Sequence, residues 1–223
     1  VIHVLSGVSG LVLCLLLGRR RGYGRMPMLP HHLPMTVLGG AMLWFGWFGF
    51  NAGSALGAGP LAANAVLTTQ MSAAIGIVGW VLVERYHRGK PTVLGAVSGG
   101  VSGLVAITPA AGFVTPVAAI PIGFVGAICC YVAVAVLKSK FGYDDSLDAF
   151  GIHGVGGMWG AIATGLFATV SVNPDGADGL FYGGNLLIPQ LISLVVAIAL
   201  AIIGTTIIFK VVSLFMDMRV SIS

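Results

Sequence analysis

Seven apolar segments, each close to the length of a membrane-spanning helix, constrain this chain more than any other feature. They run at about residues 1–18, 34–56, 61–83, 92–111, 114–137, 149–170 and 185–209. About 20 apolar residues in a helix cross the hydrocarbon core of a bilayer. The chain is 57% hydrophobic and 8% charged, whereas soluble domains carry about 25% charged residues. The sequence therefore predicts an all-α integral membrane protein, a helical bundle with seven spans.

The basic residues predict how these spans are oriented. All 11 Lys and Arg residues lie in the connections after the first, third and fifth segments or in the tail after the seventh. By the positive-inside rule those connections and the C-terminus are cytoplasmic. Val1 is not a methionine and stands within the first apolar segment. We therefore expect further helices ahead of it and no cleaved signal peptide.

Two histidines inside apolar segments are the first candidates for a functional site. His3 lies in "IHVLSGVSG" and His153 in "IHGVGGMWG", and in both strings glycines follow four and seven residues after the histidine. An ionisable side chain in a membrane segment usually has a function, although a plain hydrogen bond between helices is the alternative. The two segments run in opposite directions across the membrane. Similar motifs on such helices favour an inverted repeat with a site near the membrane centre.

An aromatic cluster at residues 44–59, "WFGWFGFNAGSALGAG", is the second candidate. Aromatic residues often form a belt at the membrane interface. They also attract a small cation over their ring faces, and the hydroxyl of Ser54 can replace one of its water molecules. Composition alone does not decide between the belt and a cation-binding mouth.

Other patterns limit the function classes. The 34 glycines, many at small-xxx-small spacing, predict a tightly packed bundle. Cys14, Cys129 and Cys130 lie in apolar runs and are expected to be small buried side chains rather than disulfide partners. Two histidines without a third ligand do not predict a metal site. No nucleophile–base pair or phosphate loop is evident, so we expect no enzyme, no cofactor and no nucleic-acid partner.

Several motifs, in order along the chain, carry a resemblance to a known family. "PHHLPM", "GWFGFNAGSA", "GLVAITPAAGFV" and "DDSLDAFGIHGVGG" resemble ammonium transporters of the Amt branch of the Amt/Rh family. The resemblance covers essentially all 223 residues. Members usually have eleven membrane helices in an inverted repeat, so residues 1–223 would form the C-terminal part of that transmembrane domain, its fifth to eleventh helices. The resemblance implies that ammonium is recruited at an outer mouth, deprotonated and conducted as ammonia with a relayed proton.

The resemblance also implies roles for particular residues. His3 and His153 match the twin histidines of the hydrophobic pore. Phe50 matches one of two stacked phenylalanines that close the outer mouth, Ser54 the hydroxyl at the recruitment site, and Trp47 a pore-lining tryptophan.

Asp148 matches a family aspartate, and we predict that it acts as the N-cap of the sixth segment. The resemblance further implies a homotrimer in the cell membrane and, in many members, a PII-type signalling protein bound on the cytoplasmic face. Two alternatives stay open: an ammonium sensor domain of a signalling protein, and an Rh-like channel for neutral gases. Ser54 speaks against the second, because it matches the cation-recruiting Amt pattern.

Overall fold

The computed structural model describes residues 1–26, 28 and 30–219, and this part of the chain is helical with no strand. Five of its spans are continuous α-helices: α1 (Ile2–Leu17), α2 (Leu33–Ala52), α3 (Pro60–Arg88), α4 (Val93–Ile107) and α7 (Leu187–Ser213). The other two spans, α5 and α6, each contain a π-helical turn. α5 runs through Pro116–Val132, the π-turn Ala133–Leu137 and Lys138–Phe141, and α6 begins with the π-turn Phe150–Gly154 and continues as Val155–Phe167. The predicted all-α bundle of seven spans is confirmed within the described residues.

Length and composition make four of these helices, α2, α3, α5 and α7, capable of crossing a membrane unaided. α1 and α4 are shorter apolar helices.

Among the helix ends that differ from the prediction, those of α3 and α4 have a clear physical reason. α3 continues to Arg88 rather than ending at 83, because the charged side chain that interrupts the apolar run is not solvated. Glu84 is 3% exposed, and its carboxylate accepts hydrogen bonds from Thr92 N and Thr92 Oγ1, each 3.0 Å long. α4 ends at Ile107 rather than 111, since Pro109 has no N–H group with which to continue the helical hydrogen bonds.

The helices pack in two groups. α3, α4 and α5 contact one another closely, and α2 packs on α3 and α4. α1, α6 and α7 form the second group, and α6 also contacts α4 and α5. Small residues allow this approach: a Cβ atom at Gly103 of α4 would lie 2.2 Å from the carbonyl oxygen of Ser72 on α3. Ser72 Oγ donates a 2.8 Å hydrogen bond to Gly103 O at the same crossing. The predicted tight packing is therefore observed.

Candidate functional site

The two intramembrane histidines lie side by side. His3 is in the first turn of α1 and His153 in the π-turn of α6, and their Nδ1 atoms are 3.2 Å apart. The rings are stacked, with centroids 5.3 Å apart and planes 24° apart. If both imidazoles are neutral, a hydrogen bond between two Nδ1 atoms requires opposite tautomers. The pair then presents one Nε2 acceptor and one Nε2–H donor.

The second ring nitrogen of His3 differs from the first. The residue is 9% exposed, and its Nε2 atom is buried with no hydrogen-bond partner among the residues that the structure describes. Buried polar atoms are rarely left without a partner. This atom is therefore a candidate contact for a small polar substrate.

Aromatic side chains of α2 cover His3. Trp47 stacks on the His3 ring with centroids 5.2 Å apart and planes 12° apart. Phe50 meets the His3 ring edge-on at 5.9 Å and the Trp47 ring edge-on at 5.8 Å. Three residues apart on a helix, Trp47 and Phe50 share one face. This common face brings both rings onto His3.

A hydroxyl that the sequence analysis missed holds the tryptophan. Trp47 Nε1 donates a 2.8 Å hydrogen bond to Thr108 Oγ1, and Thr108 Oγ1 donates to Leu104 O at 2.7 Å. The available signal was a threonine inside the apolar "AITPAAG" run, since polar groups in membrane segments often have a function. Trp47 and Thr108 are 61 residues apart in sequence, so spacing alone does not connect them.

Ser54 lies in a single 3₁₀ turn, Gly53–Ala55, that follows α2. Its hydroxyl donates a 2.7 Å hydrogen bond to Phe50 O, and the side chain is exposed. A hydroxyl has one proton and two acceptor lone pairs. Because its proton is directed to Phe50 O, the Ser54 oxygen is left to accept a hydrogen bond. A cation that carries N–H groups requires such an acceptor.

Two open cavities have His3 and Phe50 in common among their lining residues. The Ser54 cavity, about 430 Å³, is lined by these two residues together with Ser54 and Thr108. The His153 cavity, about 820 Å³, is lined by His3 and Phe50 together with Trp47 and His153. The structure thus brings five sequence-predicted residues together around one boundary.

The sixth predicted residue, Asp148, does not cap α6, and this prediction is wrong. Asp148 has a left-handed backbone conformation, φ 56°, rather than the extended one usual for an N-cap. The N–H groups of Ala149 and Phe150 open α6. The carboxylate of Asp145 accepts both, at 3.1 and 2.8 Å. Asp148 instead pairs with Lys138 of α5. Burial raises the pKa of Asp148 above its usual value, and the hydrogen bond from Lys138 opposes that shift.

An ion pair connects the segments next to the two histidine helices. Arg20, beyond the end of α1, donates from Nη2 to Asp144 Oδ1 at 2.6 Å and from Nε to Asp144 Oδ2 at 2.9 Å. Hydrogen bonding from Arg20 lowers the pKa of the Asp144 carboxyl. The sequence analysis used Arg20 only as a determinant of orientation. The structure adds a contact between the connection after α1 and the one before α6.

Comparisons with known proteins now bear on this site. The sequence model of the Ammonium Transporter Family matches residues 1–223. An ammonium transporter of Bacillus subtilis (strain 168) is 56% identical over 220 residues, which are 98% of this chain and 54% of that protein. The crystal structure of Saccharomyces cerevisiae Mep2 matches with a TM-score of 0.90 at 37% identity, covering 100% of this chain and 52% of that one.

A structure described as a sensor Amt protein also matches, with a TM-score of 0.88 at 28% identity, covering 99% of this chain and 55% of that one. The chain spans about half the length of these relatives. Because one family matches along the whole chain, and relatives of the same kind agree in sequence and in fold, this membrane-spanning chain belongs to the ammonium transporter family.

Proposed function

We propose that this chain forms part of an ammonium transporter in which ammonium is recruited near Ser54, loses a proton at the aromatic boundary and passes the two histidines as ammonia. The observation that carries the proposal is the 3.2 Å contact between His3 Nδ1 and His153 Nδ1, with His3 lining both open cavities. The proposal concerns transport by the whole protein. The related chains are about twice as long as residues 1–223.

Dehydration explains why a neutral species is conducted. Moving a bare monovalent cation into an apolar passage costs on the order of tens of kcal/mol. Ammonium avoids this by giving up a proton, whereas potassium, with the same charge and a similar size, has none to give. A passage that admits only the neutral species therefore excludes potassium.

The histidine pair suits ammonia. Ammonia both donates and accepts hydrogen bonds, and the two Nε2 atoms of an oppositely tautomeric pair offer one donor and one acceptor. The proton left behind can move along the same imidazoles, as in other intramembrane histidine relays. Stacking of Trp47 on His3 holds the ring orientation that this requires.

The mouth suits the charged form. The faces of aromatic rings attract a cation with about 0.5–2 kcal/mol, and Ser54 offers an acceptor beside Phe50. Recruitment before deprotonation raises the local concentration of ammonium. The same arrangement disfavours an Rh-like neutral gas channel, which has no need of a cation acceptor.

Transport by the full-length protein in proteoliposomes tests the proposal. We expect saturable ammonium-driven current and no potassium current, with His153→Ala reducing the ammonium current. His87→Ala is the matched control, since His87 hydrogen-bonds Tyr131 OH at 2.8 Å and contacts neither cavity. Equal ammonium currents in both variants and the parent protein would overturn the histidine role.

The assembly and orientation belong to the same proposal. We infer a homotrimer with one pore per subunit, a cytoplasmic C-terminus and a PII-type partner on that face. The distribution of Lys and Arg supports the orientation. The orientation can be tested with a cysteine introduced at the C-terminus and a membrane-impermeant thiol reagent. We expect this cysteine to react in inverted vesicles and not in intact cells.

A second function, ammonium sensing, is favoured by one observation. The match to a sensor Amt protein covers 99% of this chain. That match has 28% identity, against 56% to a transporter, and we therefore prefer transport. Ammonium binding without uptake by the full-length protein would reverse the preference.

A further inference from the structure

α1 and α6 cross with no side chain between their backbones. A Cβ atom at Gly7 would lie 2.1 Å from Gly154 N and 2.4 Å from Gly154 Cα, well below the 3.0 Å that real Cβ contacts respect. The contact is backbone against backbone, so a flexible side chain cannot move aside to relieve it. Any larger residue at position 7 must separate the helices.

This crossing lies beside the histidine pair. Gly7 is one helical turn after His3, on the same face of α1, and Gly154 directly follows His153. A second close approach adds to the first: a Cβ atom at Gly157 would lie 3.0 Å from His3 Cβ. The distance between the two rings therefore follows from the distance between the two helices.

The far side of α6 leaves it little room to yield. A Cβ atom at Gly151 would lie 2.5 Å from Val134 Cγ2, in the π-turn of α5. On the other side of the crossing, α1 is tied to α7 by a 2.8 Å hydrogen bond from Thr205 Oγ1 to Ser9 Oγ. Both helices are thus held from behind, and added bulk at position 7 can be relieved only by separating α1 from α6 at the crossing.

We propose that Gly7 is a positioning residue for the His3–His153 pair: by allowing α1 and α6 to touch, it sets the spacing at which the imidazoles share a hydrogen bond. Raising the 2.1 Å approach merely to the 3.0 Å limit of real Cβ contacts separates the helices by about 1 Å. An Nδ1–Nδ1 distance of 3.2 Å would then exceed hydrogen-bond length. This inference rests on the proposed function, because the spacing matters for transport only if the histidines conduct.

The experiment measures spacing and transport separately, in the full-length protein. NMR of protein labelled with ¹⁵N-histidine detects coupling between two imidazole nitrogens that share a hydrogen bond, and the His3→Ala and His153→Ala variants assign the signal. We expect coupling in the parent protein and none in Gly7→Ala. Ammonium-driven current in Gly7→Ala should fall roughly 10- to 100-fold, as for other misplacements of about 1 Å.

Gly76→Ala is the control for packing damage. At the α3–α4 crossing, its Cβ atom would lie 2.5 Å from Gly99 O. This is a comparable steric clash with backbone, at a crossing that does not involve α1 or α6. We expect lower thermal stability but intact coupling. Gly157→Ala is a milder change at the histidine crossing, with its nearest contacts at 3.0 Å. It should weaken the coupling, and it decides the question if Gly7→Ala does not fold.

Three outcomes are informative. Coupling retained in Gly7→Ala, or in Gly157→Ala if the first variant does not fold, overturns the inference. Coupling lost equally in Gly76→Ala overturns it as well, because general loosening then explains the loss. Coupling lost in Gly7→Ala alone, with ammonium current unchanged, supports the positioning role and refutes the proposed function of the pair.

Discussion

Replacing Asp145 by alanine should destabilise the start of α6, where His153 lies. Asp145 is 6% exposed, and its two carboxylate oxygens accept the N–H groups of Ala149 and Phe150 at 3.1 and 2.8 Å. Without the carboxylate, both half-buried N–H groups lose their acceptor. The π-turn Phe150–Gly154 then loses the interaction that fixes its first residues.

The expected magnitude follows from these contacts. Loss of an N-terminal cap costs about 0.5–2 kcal/mol, and we expect the upper end, about 2 kcal/mol, because two donors depend on one buried side chain. Asp148→Ala is the matched comparison three residues later. Its ion pair with Lys138 is partly exposed, with 29% of the Lys138 side chain and 28% of the Asp148 side chain accessible, so we expect a loss below about 1 kcal/mol.

Thermal unfolding of the full-length protein in detergent, followed by tryptophan fluorescence, measures the difference. Asp145→Ala should melt at a lower temperature than Asp148→Ala, and it should also show the lower ammonium current. Asp145→Asn keeps one acceptor oxygen and should fall between the parent and Asp145→Ala. If Asp148→Ala is the less stable of the two alanine variants, the assignment of the cap to Asp145 is incorrect.

Three further predictions concern the mouth and the ion pair. Ser54→Ala should raise the ammonium concentration for half-saturation roughly 2- to 12-fold, the equivalent of about 0.5–1.5 kcal/mol for one hydrogen bond; an unchanged value would end the recruitment role. Phe50→Ala should join the two cavities and produce a potassium current, and continued potassium exclusion would argue against a gate. Arg20 lowers the pKa of Asp144, so their pair stabilises the fold fully above the ordinary value of 3.8 and loses this contribution as the pH falls through the lowered pKa. Arg20→Ala should therefore melt below the parent at neutral pH and approach it in strong acid, whereas a constant difference across that range would contradict the linkage.

Much of the fold was predictable because length and apolar composition determine membrane spans directly. The π-turns were not, since an extra residue in a helical turn leaves no trace in a segment that is apolar on every face. The ends of α3 and α4 depended on the burial of Glu84 and on Pro109. The end of α3 involves a contact between Glu84 and Thr92 that the sequence does not reveal. The end of α4 could have been read from Pro109 itself.

The site divides in the same way. His3 and His153 were predictable as candidates because ionisable groups are rare in membrane segments. The role of Thr108 depends on the approach of α2 to α4. Three aspartates within five positions, 144, 145 and 148, look equivalent in sequence. They differ because Arg20 binds the first, two backbone N–H groups the second and Lys138 the third.

The central claim is that His3 and His153 conduct as one element. Current through the reconstituted full-length protein on solid-supported membranes, with ammonium and with potassium, tests it in His3→Ala, His153→Ala and the double variant. Each single change should reduce the ammonium current, and the double variant should be little worse than either, because residues that act together are not additive. Ammonium currents equal to that of the parent protein in both single variants, with potassium still excluded, would mean that the histidines only pack the helices together.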